Sequence, residues 1–353
     1  MNKKALFIVS VYRVGERIYP IIPKLKEKLF DIDLLRINEM SLEMSWYGTI
    51  DPRVSFDSLY SKHIDATFDA GFNGFKNKNI DIDLSKYDII IYDDSRARYG
   101  LNKLYDLASK LNIPMLASIH GGGRGHGSED YNSGYKKVFD YLMVFGNMDI
   151  DAHTVDDKLI KVGIPSNDVL KAYDKSESYI LCVTNFLANH WVKLDSCPLR
   201  VDEKYVRSLG LVELQSEFNK KVIFKIKTRK DNPNPNEDID YMRSIINPHL
   251  DCEILMDVED DNLLMSDSFI VISTLAFKSI QQGIPTVLIN KAGILGHFRD
   301  YKGLVDLNTQ QIFDEVERQY QSEKEFDFIE NTIEGGLDFT STDRCVNEIM
   351  NVL

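Results

Sequence analysis

A chain of 353 residues, 43% hydrophobic and 27% charged, is long enough for two domains with separate cores and too apolar to remain disordered. Its net charge of −13 and pI of about 5.1 argue against nucleic acid as the main partner. The four cysteines (Cys182, Cys197, Cys252, Cys345) are scattered without C-x-x-C spacing, which suggests a reducing compartment and neither a disulfide framework nor a zinc site. No apolar run is as long as a membrane span, and ALFIVSV reads as a buried strand, so a cytoplasmic protein is expected.

In chain order, the pattern predicts a strand at Ala5–Val11, a polar turn (Tyr12-Arg13-Val14-Gly15-Glu16), a helix over Ile18–Leu29 and a strand near Asp33–Ile37. Residues 38–83 are aromatic, loop-rich and aperiodic, and read as an irregular insertion containing short helices. YDIIIYDD is a strand, GLNKLYDLASKLN a helix and IPMLASIH a strand. DYLMVFG and KLIKVGIP are two more strands, with a helix at Asp149–Val155 between them.

The second half restarts the alternation. SYILCVTN is a strand, VDEKYVRSLGLVELQSEF one helix, KKVIFKIKT a strand, DIDYMRSIINPH a helix and CEILMD a strand. After DNLLMSD comes DSFIVISTLAFKSIQQGIPTVLIN: strand, hydroxyl pair, short helix, strand. Thr309–Tyr320 and Asp343–Leu353 are terminal helices. Strands alternating with helices predict α/β architecture with parallel sheets. The expected division is residues 1–172 and 173–353, joined near Lys171–Glu177, with the last helix folding back onto the first domain.

Candidate site residues fall where strands end, the edge at which open α/β sheets bind ligands. Ser273 and Thr274 precede a helix, whose free N–H groups and dipole favour a phosphate. Lys225, Lys227, Arg229 and Lys230 form the densest positive cluster in an acidic chain; a solvated edge strand is the competing reading. Asn185 and His190 follow the first strand of the second half, and Arg299, Tyr301 and Lys302 lie in a later loop. In the first half, His120, Gly121, Gly122, Arg124 and Glu129 belong to a glycine-rich run that offers acid–base groups and close backbone approach, or else a surface loop. Asp93 and Asp94, with Arg96 and Arg98, end one strand, and Arg13 and Glu16 end another. Helix capping explains these positions about as well. The Asp31-Ile-Asp33 and Asp81-Ile-Asp83 strings read as composition, and no metal site is expected. Trp46, Tyr47, Phe68 and Phe72 could form a satellite core or touch acceptor, membrane surface or partner subunit.

These segments resemble the GT-B glycosyltransferase superfamily, including its relatives the UDP-N-acetylglucosamine 2-epimerases and the CDP-glycerol glycerophosphotransferases. SVYRVGERIYPIIPKLKE is similar to the strand, T-R-P-E turn and helix that open the epimerases. IIIYDDS is similar to their D-x-x-S strand end, KVGIPSNDVL to a G-x-P-R-x-D element, and ISTLAFKSIQQGIPTVLI to S-G-G-x-x-E-E-A-x-x-x-G-x-P. The resemblance implies two Rossmann-like domains facing a cleft, with a nucleotide-sugar donor as substrate in the second, an acceptor glycan or lipid-linked acceptor against the first, and no further cofactor. Two departures stand out. Lys278 and Ser279 occupy the place of the paired glutamates that hold the ribose, and His120-Gly121-Gly122-Gly123 replaces H-x-E-A-G. The expectation is therefore a metal-independent glycosyltransferase with His120, Glu129 or Asp94 as base. An epimerase or hydrolase and a non-catalytic nucleotide-sugar-binding module are the alternatives.

Overall fold

The computed structural model describes residues 2–9, 15–37, 52–69, 82–94, 101–119, 138–147, 158–172, 179–186, 201–227, 236–255, 268–271, 276–290, 298–322 and 326–353. Its elements in chain order are β1 (Lys3–Val9), α1 (Ile21–Glu27), β2 (Phe30–Arg36), α2 (Pro52–Tyr60), β3 (Ala66–Asp69), β4 (Ile89–Tyr92), α3 (Leu101–Lys110), β5 (Met115–Ser118), β6 (Tyr141–Val144) and β7 (Lys158–Lys161). There follow β8 (Tyr179–Phe186), α4 (Glu203–Ser208), α5 (Leu211–Phe218), β9 (Lys221–Lys227), α6 (Asn236–Ile245), β10 (Cys252–Leu255) and β11 (Ser268–Val271). The chain ends with α7 (Ala276–Gln281), β12 (Thr286–Ile289), β13 (Leu304–Val305), α8 (Thr309–Gln321), α9 (Asp327–Thr332) and α10 (Ser341–Val352).

The described residues divide into two compact units, one running to Val169 and resuming at Glu330–Leu353, the other Leu170–Ile329. In the first, seven parallel strands run β3-β2-β1-β4-β5-β6-β7. In the second, six parallel strands run β10-β9-β8-β11-β12-β13. Both orders reverse direction beside their first strand, at β1/β4 and at β8/β11. That reversal is the Rossmann switch point, where the connections diverge and leave a crevice at the strands' carboxyl ends.

Sequence accounts for these layers directly. β1 and β4 read as unbroken apolar runs because helices cover both faces of a parallel sheet, and Ala5–Val9 and Ile89–Tyr92 are buried. On α10, Ser341, Thr342, Cys345, Val346 and Ile349 form one buried stripe at helical spacing, and its apolar members share a core with Ile21, Ile22 and Leu25 of α1.

Three local readings are corrected. The segment Val201–Phe218 is two helices: Gly210 takes φ +64, a left-handed conformation that ends the helical path, and α5 starts afresh after it. The stretch read as an irregular insertion with short helices does contain the helix α2, but it also contains a strand, β3, which pairs in parallel with β2. β3 has only four residues and its side chains are mostly exposed, so no alternation betrays it. The helix predicted from Ile18 begins later: residues 16–20 form a turn that closes on the carbonyl of Gly15. DNLLMSD and the helix expected at Asp149–Val155 lie outside the described residues.

Candidate functional site

At the switch point of the first sheet, β1 and β4 lie side by side, with Ile8 opposite Tyr92. The amide of Asp93 donates to the carbonyl of Ile8 at 3.2 Å, which continues the ladder by one residue past Tyr92. Asp93 and Asp94 are both fully buried. The Tyr19 hydroxyl donates to Oδ2 of Asp93 at 3.1 Å. Tyr19 is itself enclosed by edge-on contacts with Phe7 (6.0 Å), Phe56 (4.8 Å) and Tyr60 (5.9 Å). Burial, and after it the charge of Glu16, pushes the Tyr60 phenol up to about 12. Glu16, Tyr60, Tyr19, Asp93 and Asp94 therefore make one polar and aromatic group at this edge. The neighbouring strand β5 ends there too, with Ser118 buried.

Of the residues expected in the first half, Asp94 and Glu16 are brought to this edge. Arg13, His120, Gly121, Gly122, Arg124 and Glu129 lie outside the described residues, as do Arg96 and Arg98. Tyr19 escaped sequence reasoning because it sits inside the segment read as helix; an aromatic four residues after the turn glycine was the only available signal. Asp33 has a structural role: its buried carboxylate pairs with Lys4 Nζ at 2.9 Å and accepts from the Tyr87 hydroxyl at 2.7 Å.

At the second switch point, Val183 of β8 lies between Lys225 of β9 and Val271 of β11. Thr184 is buried, and its hydroxyl donates to the carbonyl of Lys225 at 3.2 Å. The register of β8 on β9 shifts between Val183 and Phe186, an irregularity at the end that faces a ligand in this class of sheet. Lys225 is half-buried, while Phe224 and Ile226 beside it are buried. Alternation thus puts Lys225 on the side of β9 opposite Phe224 and Ile226. Asn185 and Lys227 are placed by their backbone within β8 and β9. Arg229, His190, Ser273 and Thr274 lie outside the described residues.

Helix α7 follows β11 and contains no acidic residue. Ser279 is buried; its hydroxyl donates to the carbonyl of Ala276 at 3.0 Å and accepts from Thr286 Oγ1 at 2.8 Å, so it serves packing against β12. Lys278 is half-exposed on the same helix. Phe277 stacks on Phe298 at 4.3 Å, and Phe298 on Phe328 at 5.6 Å. Arg299 follows this stack and is exposed. Tyr301, suggested by sequence as a stacking residue, is buried against Phe328, with its hydroxyl donating to the carbonyl of Thr286 at 2.7 Å. Among the described residues there is no group of three or more His, Cys, Asp or Glu arranged to hold a metal ion. Nor is any described helix long and apolar enough to cross a membrane.

No family model matches the sequence, and no curated protein matches it. Solved structures do. The chain is similar to the UDP-GlcNAc 2-epimerase of Methanocaldococcus jannaschii in complex with UDP-GlcNAc and UDP, at 14% identity over 99% of both chains with a TM-score of 0.62. It is similar to the UDP-N-acetylglucosamine 2-epimerase of Rickettsia bellii at 12% identity over 99% of this chain and 97% of that one, TM-score 0.58. It is also similar to CalG4, the calicheamicin glycosyltransferase, at 12% identity over 99% and 98%, TM-score 0.56. The fold is GT-B-like: each unit is built on one Rossmann-like sheet of parallel strands.

Proposed function

We propose that the protein is a GT-B-type glycosyltransferase that moves a sugar, or a polyol phosphate, from a nucleotide carrier to a glycan or lipid-linked acceptor in building a surface glycan. The observation that carries this is the match along 99% of the chain to enzymes whose names include both a nucleotide-sugar epimerase and a glycosyltransferase. Fold alone does not fix function. The composition of α7 favours transfer: no carboxylate stands on it, Lys278 is its half-exposed residue, and Ser279 is spent on packing.

In this reading the second unit holds the donor. Ser273 and Thr274 receive its phosphates, Asn185 lies at the switch point, and Lys225, Lys227, Arg229 and Arg299 offset the negative charge. The acceptor meets Arg13, Glu16, Gly121, Gly122 and Arg124 of the first unit. Asp94, His120 or Glu129 takes the proton from the acceptor hydroxyl. For a sugar donor, the acceptor oxygen bonds to the sugar carbon, the bond from that carbon to the phosphate oxygen breaks, and the nucleotide leaves with the electron pair. Helix dipole and basic side chains stabilise the leaving phosphate without a metal ion, so chelation with EDTA leaves turnover unchanged.

The test is a melting-temperature screen with CMP, CDP, UDP and GDP. Binding to the folded state raises stability by about 2.7 kcal/mol at a hundred times Kd. At least one nucleotide should stabilise the protein, and Ser273→Ala with Thr274→Ala should abolish the response. No response to any nucleotide rejects the reading. A stabilised protein that converts the donor to an epimer without acceptor would instead make it an epimerase.

A further inference from the structure

We infer that Tyr19 is a positioning residue, whose hydroxyl fixes the Asp93–Asp94 pair for the chemistry at the first switch point. The inference rests on the reading of Asp94 as a base. Three independent features place Tyr19 in this role. Its hydroxyl reaches the Asp93 carboxylate from a different segment, 74 residues away, at 3.1 Å, and both residues are buried. Its ring is held on three sides by Phe7, Phe56 and Tyr60, so the hydroxyl has little freedom to move. Gly15 leaves the room it occupies: a Cβ there would overlap the Tyr19 ring and hydroxyl.

Asp93 and Asp94 share a peptide, so torsional freedom at Asp93 passes straight to Asp94. The Ile8 carbonyl holds the Asp93 amide and Tyr19 holds its carboxylate, which leaves Asp93 pinned at both ends. A base must sit within hydrogen-bond reach of the proton it takes, and a misplacement of about 1 Å can cost about a hundredfold in rate. A tyrosine that merely filled space would need no hydroxyl, and phenylalanine would serve equally well beside Phe56.

The experiment uses the full chain and UDP-N-acetylglucosamine as probe, with UDP release as the rate. Tyr19→Phe should lower kcat by about tenfold or more and change KM by less than about twofold, while lowering the melting temperature by no more than a few degrees. The Asp93 carboxyl 13C resonance, identified by its loss in Asp93→Asn, should move in Tyr19→Phe. A packing control, Phe56→Leu, should lower the melting temperature. An unchanged kcat in Tyr19→Phe, or an unmoved Asp93 resonance, overturns the positioning role. Wild-type protein that neither binds nor turns over any nucleotide sugar rejects the transferase reading instead, and the Asp93 resonance still decides whether Tyr19 holds the pair.

Discussion

The carboxylate of Asp168 accepts the backbone amide of Thr342 at 2.6 Å, across 174 residues of chain. Its other oxygen accepts the amide of Ser341 at 3.0 Å. Helix α10 has no side-chain cap of its own at Thr340, so a residue from the 3-10 turn Pro165–Ala172 after β7 supplies the acceptors that its first turn lacks. An anion at a helix N-terminus also meets the favourable end of the dipole. Around this contact Arg344 donates to the carbonyls of Val162 (3.2 Å) and Glu334 (2.9 Å) and pairs with Asp338 at 2.8 Å. Loss of a cap costs about 0.5–2 kcal/mol, and stripping a charged acceptor from partly buried amides adds to it. Asp168→Ala should therefore destabilise the first unit by about 2 kcal/mol, with Asp168→Asn, which keeps one acceptor oxygen, near half of that. Urea unfolding and amide exchange at Ser341 and Thr342 measure it; amides equally protected in the variant would refute the assignment.

Gly146, just past β6, lies directly against the returning segment Thr332–Glu334. A Cβ there would meet backbone throughout: the carbonyl oxygen of Thr332, the nitrogen of Glu334 at 2.7 Å and Cα of Ile333 at 2.8 Å. The Glu334 amide is tied to the carbonyl of Phe145 at 2.9 Å, so this crossing cannot relax by a side-chain rotation. Gly146→Ala should cost about 3 kcal/mol or more, because overpacking against backbone forces the chain itself to move. A variant that melts like the wild type would mean that the segment 330–334 is free to lift away.

Leu29 closes α1 with φ 62 and is 67% exposed, an unfavourable place for a branched aliphatic residue. The left-handed backbone costs about 1–2 kcal/mol for a residue with a Cβ. Glycine removes that cost but adds about 0.5–1 kcal/mol of unfolded-state freedom. Leu29→Gly should thus stabilise the protein by about 0.5–1 kcal/mol and raise its melting temperature by a few degrees. A lower melting temperature would show that the exposed side chain packs usefully after all.

Sequence made the sheets legible because buried parallel strands leave unbroken apolar runs, as in Ala5–Val9, Ile89–Tyr92 and Thr286–Ile289. It also located the strand ends at which Asp94 and Lys225 stand. β3 was invisible, since a four-residue exposed edge strand has no period to read. Gly210 was visible as a letter but not as a left-handed residue, and so two helices looked like one. The site's internal order was the least legible part. The bond from Tyr19 to Asp93 joins distant segments through packing, and nothing in either local pattern announces it. Ser279 shows the reverse: a polar residue in a ligand-site motif turned out to bond within the protein, because the helix rotation that decides its direction is set by tertiary contacts.

Tyr60 provides a pH signature for the same aromatic group. Burial, and after it the Glu16 charge, raises its phenol to about 12. An unfolded tyrosine titrates near 10. Between these values the folded chain keeps a proton that the unfolded chain has lost, so unfolding releases it. The contribution is therefore complete below about pH 10 and falls away as pH rises towards 12. Tyr60→Phe should make the loss of stability over that window shallower, as read from urea midpoints at fixed ionic strength. Glu16→Gln removes the like charge and should bring the phenol's ultraviolet titration to lower pH, though not to its ordinary value, since burial is the larger cause. If the titration is unmoved in Glu16→Gln, the Glu16 carboxylate does not reach Tyr60, and the two do not belong to one group at the carboxyl edge of the first sheet.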